Sequence, residues 1–587
     1  MFFIKCLVVA VTLCSVTIDA KDWWENEVFY QIYPRSFMDS DGDGVGDLQG
    51  IKSKLQHIKD AGLNCTWLSP IFSSPMVDFG YDISDFRNIH HEFGTIKDFE
   101  ELSAEAKRLG IKLILDFVPN HSSDKHEWFQ LSANRTKGYE DYYVWVDAKG
   151  FDKDGKPIPP NNWNSNFGGS AWEWVESRKQ FYLHQFAIQQ PDLNYRNPKL
   201  VQEMKDIIVY WLDKGVAGFR IDAVPFLFEV EDLRDEPRSY DPKALPNEYA
   251  YLLHPYTNNL AETYDMVYQW RAVLDNYTKS TDNVTRIMMT EAYADIKQQV
   301  LYYGNDTTPG AHFTFNFLLI TDLNTNSTAH DFMFTINKWL SYLPLEYTSN
   351  WVLGNHDNHR VGSRYGAQRI DGLNMLLMVL PGVGVTYYGD EIGMLDTFIS
   401  WEQTVDPIGL NAGPDRYQLF TRDPERTPFQ WDDSVNTGFS TSKNGTWLPV
   451  NENYKDLNLK NQKAASFSHF QLYQKLMVLR QEKTIRDGDL NVKALSDNVL
   501  TLTRTLTGHD SFVYVFNLGG EKENVNLEPY TELPSKLKVE LTSVNASVSF
   551  GTTVSKSGFT VGPYEAYILS AQSLLSSSTS YLDTLFE

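Results

Sequence analysis

Short apolar segments alternate with amphipathic segments along most of the 587-residue chain. Eight apolar segments have the length and the β-branched or aromatic content of buried strands, namely VFYQIYP, CTWLSP, KLILDFVPNH, GFRIDAV, RIMMTEAY, HFTFNFLLI, NWVLGNHD and GVGVTYYGDEI. Between them lie helical runs such as FEELSAEAKRLG, VQEMKDIIVYWLDKG, DMVYQWRAVLD and DFMFTINKWLSYL. This alternation predicts an α/β fold whose eight parallel strands and their helices form a (β/α)8 TIM barrel.

The regular alternation is interrupted once and ends before the C-terminus. Residues 122–184 are rich in Trp, Gly, Pro and Asn, which predicts a domain inserted after the third strand. The catalytic barrel would then comprise residues 21–121 and 185–485. The alternating runs VLTLTRTL and SFVYVFNLG predict a C-terminal antiparallel β-sandwich domain over residues 486–570, and the serine-rich residues 571–587 predict a flexible tail.

The first 20 residues have the features of a cleaved secretory signal: a lysine, a short apolar run and a small residue at Ala20. The run is too short to span a bilayer, and the tail lacks the apolar end of a glycolipid-anchor signal. Secretion is therefore expected. Two of the three cysteines lie in the signal, so Cys65 is interpreted as a core thiol. Sequons that fit a secretory route occur at Asn134, Asn276, Asn283, Asn305, Asn326, Asn444 and Asn545.

Two further sequon triplets, at Asn64 and Asn120, fall in segments that we expect to be buried, so they are discounted.

The net charge of the chain narrows the choice of ligand. The formal net charge is -24 and the isoelectric point is near 5.0, which argues against nucleic acid because phosphate binding requires a clustered basic surface. A small neutral or cationic ligand fits this composition better.

The segment GFRIDAV carries a charge pair inside an apolar strand. Side chains alternate along a strand, so Arg220 and Asp222 share one face while Phe219 and Ile221 share the other. Removing two ions from water is costly unless they are paired, so such a pair is expected where it does chemistry or stabilises a core network. The sequence of this segment alone leaves both interpretations open.

Polar residues at the ends of other predicted strands favour the chemical interpretation. A barrel directs the C-terminal ends of its strands to one mouth, which would bring together Asn120, His121, Arg220, Asp222, Glu291, His356 and Asp357. Three carboxylates, two histidines and an arginine around an uncharged cavity suit glycosyl transfer. One carboxylate attacks the anomeric carbon, a second delivers a proton, and nearby charge stabilises the oxocarbenium-like state.

The segments DFVPNH, QPDLN, GFRIDAV, TEAY and GNHD, in this order, resemble the α-amylase family of retaining glycoside hydrolases. QPDLN and RDPERTPFQW resemble its oligo-1,6-glucosidase and α-glucosidase branch, and within it the insect maltases. The resemblance implies that Asp222 is the nucleophile, Glu291 the general acid/base and Asp357 the transition-state stabiliser. Arg220 would then be the counter-ion of Asp222.

The resemblance also implies a glucose pocket formed by Tyr81, Asp82, His121, His356 and Arg422. A surface salt bridge is the alternative role for Arg422. The inserted domain contains three tryptophans, Trp163, Trp172 and Trp174. They either close one end of the cleft or pack in a core. In the branch that the chain resembles, the residue after the nucleophile tends to be valine in enzymes that favour α-1,6 bonds and threonine in those that favour α-1,4 bonds. Ala223 matches neither, so α-1,4, α-1,6 and sucrose preference stay open.

The stretch DSDGDGVGD at residues 39–47 predicts a structural calcium site. Its oxygen-bearing side chains and glycines allow a tight wrap around a hard cation, with ligands at Asp39, Asp41, Asp43 and Asp47. The resemblance adds the backbone carbonyl of Val45. Gly50 stands where an EF-hand loop has glutamate, and an acidic solvated turn is the alternative.

We therefore predict a secreted, retaining, exo-acting α-glucosidase that needs no organic cofactor and hydrolyses terminal α-linked glucose from small neutral sugars. A non-catalytic sugar-binding or transporter-accessory protein on the same fold is the alternative from another class. A transglucosylase or sucrose isomerase is the alternative among enzymes. Oligomeric state and pH optimum stay open.

Overall fold

The computed structural model describes residues 21–572. Eight parallel strands form one sheet. We label them in chain order as β1 Val28–Ile32, β2 Cys65–Leu68, β3 Lys112–Phe117, β4 Gly218–Ile221, β5 Ile287–Thr290, β6 Phe313–Thr314, β7 Asn350–Val352 and β8 Val383–Tyr387. The lateral order is β6-β5-β4-β3-β2-β1-β8-β7. Each strand coincides with one of the predicted apolar segments, so the predicted TIM barrel is confirmed.

The sheet is closed between β6 and β7 by a side chain. The amide of Asn350 on β7 donates to the Thr314 carbonyl (2.7 Å) and accepts from the Asn316 backbone N–H (2.8 Å). The predicted strand HFTFNFLLI is shorter than expected, because its second half forms the helix Leu318–Thr321. Asn316 accepts a hydrogen bond from the Leu318 N–H (3.1 Å) and so favours this change from strand to helix.

Helices, most of them amphipathic, cover the outer face of the sheet. The helices of ten or more residues are α1 Leu48–Asp60, α2 Ile96–Arg108, α3 Pro198–Asp213, α4 Ala261–Ser280, α5 Ala329–Tyr342, α6 Ile370–Val379 and α7 His469–Leu479. Asp47 caps α1 by accepting from the Gly50 N–H, and Thr95 and Asp98 form a capping box on α2. Within residues 21–572, every helix is too short or too polar to cross a bilayer.

A small sheet interrupts the barrel between β3 and α3. Its three antiparallel strands are Trp145–Val146, Trp172–Val175 and Gln180–Leu183. Trp163 and Trp172 stack with ring centroids 5.7 Å apart, and both are buried in a separate apolar cluster. The insertion therefore has a small core of its own, while other residues of it, such as Tyr143 and Tyr182, pack in the core of the barrel.

The C-terminal region forms a second β structure. Six antiparallel strands, Asp489–Ala494, Val499–Thr505, Ser511–Asn517, Lys536–Thr542, Thr553–Ser555 and Ala566–Ala571, form one sheet, and Glu523–Val525 pairs with Phe559–Val561. The Tyr514 hydroxyl donates to the Gly372 carbonyl on α6 (2.7 Å), which fixes this domain against the barrel. The predicted signal (1–20) and nearly all of the predicted tail (571–587) lie outside the described residues.

Candidate active site

Arg220 is the centre of a buried ion cluster at the C-terminal end of β4. It lies in register with Asp116 on β3, and its Nη1 donates to both oxygens of that carboxylate (2.9 and 3.0 Å). Nη1 also binds Asp222, and Nη2 lies 2.9 Å from Glu291. The arginine is 2% exposed. Two of the predicted catalytic carboxylates therefore share one guanidinium, together with Asp116, which the sequence interpretation missed.

The backbone turns sharply directly after Asp222. Ala223 has a positive φ of 48°, which is uncommon for a residue with a side chain. In this conformation its N–H donates to the second oxygen of Glu291 (2.9 Å). The Glu291 N–H in turn donates to the Ile221 carbonyl (2.9 Å), which extends the pairing of β4 and β5. A locally strained backbone therefore helps to fix the orientation of Glu291.

Burial and mutual repulsion set the charge state of this cluster. Burial raises the pKa of Asp222 well above its usual value, although Arg220 opposes the shift. Burial likewise raises the pKa of Asp116 to about 6 against the same arginine. Three carboxylates surround one cation, so their mutual repulsion adds to burial in raising the pKa values of Asp222 and Asp116.

Asp357, in the loop after β7, has the opposite environment. Arg426 Nη2 lies 2.9 Å and Arg422 Nη1 3.3 Å from its Oδ1. Burial would raise the pKa of Asp357, but the charges of Arg422 and Arg426 hold it well below its usual range. Burial lowers the pKa of His356 itself well below its ordinary value, so that ring is neutral and the two arginines supply the charge. Asp357 is thus a permanent anion near neutral pH.

A chain of hydrogen bonds orients His356. The amide nitrogen of Gln31 donates to Nδ1 (2.8 Å), so the ring proton is on Nε2, which faces the Tyr81 hydroxyl (2.6 Å). That hydroxyl donates to Asp116 (3.1 Å), and the Tyr81 and His356 rings are parallel with centroids 5.2 Å apart. The neutral imidazole is therefore held in one tautomer and one orientation.

Arg422 lies at the base of the site and is not part of a surface salt bridge. Its guanidinium pairs with Asp78 (2.7 Å) and Asp406 (2.5 Å) and is 11% exposed at the side chain. The predicted sugar ligand Asp82 lies elsewhere. Its carboxylate accepts hydrogen bonds from the Ser74 hydroxyl and from the Val77 and Asp78 N–H groups, each 2.9 Å long, and it is fully buried. Asp82 therefore stabilises the loop, and Asp78 replaces it as the carboxylate that faces the cavity.

His121 completes the wall beside Tyr81. Its Nε2 lies 3.1 Å from the Tyr81 carbonyl and 3.1 Å from the amide of Gln190 in the QPDLN segment. Gln190 also contacts Asp78 (3.2 Å). Burial lowers the pKa of His121 to about 3, so this ring is neutral as well. The segment around Gln190 thus links two parts of the wall.

These side chains line a cavity of about 850 Å³ at the C-terminal end of the barrel. The lining contains Asp78, Tyr81, His121, Asp222, Glu291, His356, Asp357 and Arg422, and Arg220 lies behind it. The idea that tryptophans of the insertion close the cleft is wrong. Trp163 and Trp172 pack in the small core of the insertion, and the ring of Trp174 makes an edge-to-face contact with Phe181. Phe167 and Phe186, with Phe226, form the aromatic wall.

In the acidic loop at residues 39–47, three of the four predicted aspartate ligands converge as a hard cation requires. Asp39, Asp41 and Asp43 each present a carboxylate oxygen within 4.8 Å of the others. Asp47 has another role: its two oxygens accept from the Ser40 N–H and hydroxyl and from the Gly50 N–H, at 2.6 to 2.8 Å. The three converging aspartates fit a calcium ion, whereas Asp47 is already used to cap α1.

Comparison with known proteins agrees with this geometry. The profile of the alpha amylase catalytic domain matches residues 31–488. Maltase 1 of Drosophila virilis is 52% identical over 553 residues, covering 94% of this chain and 87% of that protein. The salivary alpha-glucosidase of Anopheles gambiae is 48% identical over 556 residues, covering 93% of both chains. A crystal structure of the alpha-glucosyl transfer enzyme XgtA superposes with a TM-score of 0.82 at 31% identity, covering 94% of this chain and 100% of that one. The chain therefore belongs to the α-amylase family and is a glycoside hydrolase.

Proposed function

We propose that this hydrolase is a retaining, exo-acting α-glucosidase that removes the terminal non-reducing α-linked glucose from maltose, sucrose and short oligosaccharides. The observation that carries the proposal is the pair Asp222 and Glu291, which bind the two ends of one guanidinium and both face the cavity. The reach of one arginine keeps the two carboxylates close. This favours the separation of about 5–5.5 Å that retaining enzymes use over the wider spacing of inverting enzymes.

The reaction then proceeds in two displacements. Asp222 attacks the anomeric carbon while the proton of Glu291 passes to the leaving oxygen, so a glucosyl ester forms on Asp222 and the aglycone departs. Water next enters where the aglycone was, Glu291 takes its proton, and the new bond to the anomeric carbon releases glucose and regenerates Asp222. Asp357, kept ionised by Arg422 and Arg426, stabilises the positive charge that develops in both steps.

The base of the cavity supports exo action. The ion pair of Arg422 and Asp78, with Phe167 over the guanidinium at 5.1 Å, forms a polar floor backed by an aromatic ring. Such a floor presents charged donors and acceptors to the hydroxyls of one terminal sugar. A polysaccharide that continued in both directions would have to displace this ion pair.

Replacing Asp78 tests this floor. Asp78→Asn should lower kcat/KM for maltose by about 10- to 150-fold for each lost charged hydrogen bond, with folding preserved. Asp82→Asn is the matched control: it replaces one of the two oxygens that accept backbone N–H groups by an NH2 donor, so we expect mainly a lower unfolding temperature. Initial rates and thermal unfolding of both variants provide the measurement. A normal kcat/KM in Asp78→Asn would remove Asp78 from the sugar site.

Substrate preference can be measured with maltose, isomaltose, sucrose and starch. We expect rapid release of glucose from the short α-glucosides and slow action on starch. After incubation with concentrated sucrose, free glucose and fructose should dominate. A majority of longer glucosides would instead show a transglucosylase, the activity named for the similar alpha-glucosyl transfer enzyme. A majority of rearranged disaccharide would show a sucrose isomerase. Absence of any turnover would favour the sugar-binding alternative.

We further propose that Asp39, Asp41 and Asp43 hold a structural calcium ion, with the Val45 carbonyl as a further ligand. When bound, the ion neutralises the repulsion of three converging carboxylates. Chelation with EGTA should lower the unfolding temperature by several degrees while kcat at a low assay temperature changes less than twofold. Calcium should restore stability, and Asp43→Asn should remove the effect of EGTA. An identical melting curve with and without chelator would contradict the site.

Secretion is supported by two observations. One similar protein is a salivary alpha-glucosidase. The seven sequons that we counted as acceptors have exposed asparagines, whereas the discounted Asn64 is half-buried and Asn120 is buried. Mass spectrometry of protein from a eukaryotic secretory host should find glycans on some of the seven exposed sites. A glycan on Asn120 would contradict the structure.

A further inference from the structure

Three loops at the C-terminal end of the barrel bring a histidine and two carboxylates together outside the sugar cavity. They are His359 in the loop after β7, Asp396 in the loop after β8, and Glu425 in the segment TRDPER. His359 Nδ1 lies 2.8 Å from Asp396 Oδ2 and 3.6 Å from Glu425 Oε2. One ligand atom from each side chain lies within 4.8 Å of the others.

Glu425 is the unusual member of this group. The residue is 1% exposed, and among residues 21–572 its Oε2 has no hydrogen-bond partner. A buried carboxylate oxygen without a partner is costly, so buried polar atoms nearly always have a protein group, a water or an ion to bind. The oxygen faces the other two side chains, because it lies within 4.8 Å of a ligand atom of each of them. Glu425 Oε2 therefore needs a binding partner that residues 21–572 do not provide.

We propose that His359 Nδ1, Asp396 Oδ2 and Glu425 Oε2 bind a divalent cation with the preferences of Zn²⁺. Mixed imidazole and carboxylate ligands suit zinc, whose tetrahedral bonds of about 2.0–2.2 Å place neighbouring ligand atoms about 3.4 Å apart. The observed separations of 2.8 and 3.6 Å bracket that value. The side chain of His359 is 47% exposed, which leaves room for water as the fourth ligand.

A proton on His359 Nδ1 is the competing arrangement. It would satisfy Asp396 at 2.8 Å but would leave Glu425 Oε2 at 3.6 Å, beyond hydrogen-bond distance. The side-chain hydrogen bond to Asp396 raises the pKa of His359, so proton and metal compete for the same nitrogen. A cation placed between the three atoms, in contrast, provides a partner for both carboxylates.

The location of the cluster gives the ion a structural consequence. Glu425 directly precedes Arg426, which donates to Asp357 (2.9 Å) and to the His356 carbonyl (2.7 Å). Asp396 accepts from the Arg360 N–H (2.7 Å) in the loop that follows Asp357. An ion here would tie together the three loops that hold Asp357, without touching the sugar.

Zinc titration of the full chain tests the proposal. The protein is first treated with chelator, then kept in excess calcium so that the acidic loop at residues 39–47 is occupied, and ZnCl₂ is titrated by calorimetry. We expect one zinc ion per chain and a higher unfolding temperature with zinc. Glu425→Gln and His359→Gln should each weaken zinc binding by at least tenfold. The matched control, Asp43→Asn, changes the other acidic cluster and should bind zinc as the natural chain does.

Crystals soaked in zinc provide the location, as an anomalous peak between the three ligand atoms. His359→Gln changes a half-exposed side chain and keeps the test decisive if Glu425→Gln fails to fold. The proposal is overturned if the natural chain takes up less than one zinc ion at saturation, if either variant binds zinc as tightly, or if the anomalous peak lies elsewhere.

Discussion

Asp222→Asn is expected to lower kcat for maltose by about five orders of magnitude, because an amide cannot form the glucosyl ester on which the two-step reaction depends. The folded state should persist, because Asp116 and Glu291 still pair with Arg220 when the Asp222 charge is removed and asparagine has nearly the same shape as aspartate. Steady-state rates on maltose and near-ultraviolet circular dichroism provide the two measurements.

Asp116→Asn is the matched control for this substitution. Asp116 binds the same guanidinium as Asp222 (2.9 and 3.0 Å), but it lies behind the cavity lining. If Asp222 acts as the nucleophile, the Asp116 variant should retain far more activity than the Asp222 variant. Equal losses in the two variants would mean that both residues act only through Arg220. Near-normal turnover in Asp222→Asn would exclude it as the nucleophile.

Glu291→Gln is expected to reduce kcat for maltose by about three to four orders of magnitude, because the sugar leaving group then departs without a proton. The loss should depend on the leaving group. An aryl glucoside whose phenol is strongly acidic needs no proton to leave, so its first step should proceed at close to the normal rate. The second step still lacks its general base, and a burst of released phenol should precede a slow steady state.

Azide distinguishes the role of Glu291 from a loss of structure. In Glu291→Ala, the small anion can enter the vacated space and attack the glucosyl ester without general-base help. The product should be the α-glucosyl azide, because two inversions restore the original configuration. A β-glucosyl azide would identify Glu291, rather than Asp222, as the nucleophile. A variant whose rate loss is the same for maltose and for the aryl glucoside would exclude a proton-transfer role.

The barrel was predictable because its signal is distributed over the whole chain. Eight apolar segments with helices between them admit few other packings, and β4 presents Arg220 and Asp222 on one face through simple alternation. The end of β6 was less predictable. HFTFNFLLI carries a phenylalanine at every second position up to Phe317, which is typical of a strand, and its sequence pattern does not show that the Leu318 N–H donates to Asn316 where strand gives way to helix.

Loop conformation limited the prediction of the site. Asp78 and Asp82 are both carboxylates near Tyr81, and the sequence pattern does not show which one turns inward. The outcome depends on the Ser74 hydroxyl and two backbone N–H groups that bind Asp82. Asp116 was missed for a different reason: its contact with Arg220 follows from the register of β3 and β4, which period-two alternation alone does not specify.

The cluster of His359, Asp396 and Glu425 was equally hidden from the sequence. Its members come from three separate loops, 37 and 29 residues apart along the chain, and none belongs to a recognisable metal-binding spacing. The same limit applies to Ala223. Its positive φ directs an N–H toward Glu291, and an alanine offers no signal for a left-handed conformation.

The attachment point of the sugar during turnover can be observed directly. A 5-fluoro-α-glucosyl fluoride forms the glucosyl ester quickly and hydrolyses slowly, so the intermediate accumulates and survives proteolysis at low pH. Peptide mass spectrometry should then find one fluoroglucosyl group on Asp222, within the segment GFRIDAV. A sugar attached to Glu291 or Asp357, or turnover of the reagent with no covalent adduct at any stage, would contradict the double-displacement mechanism.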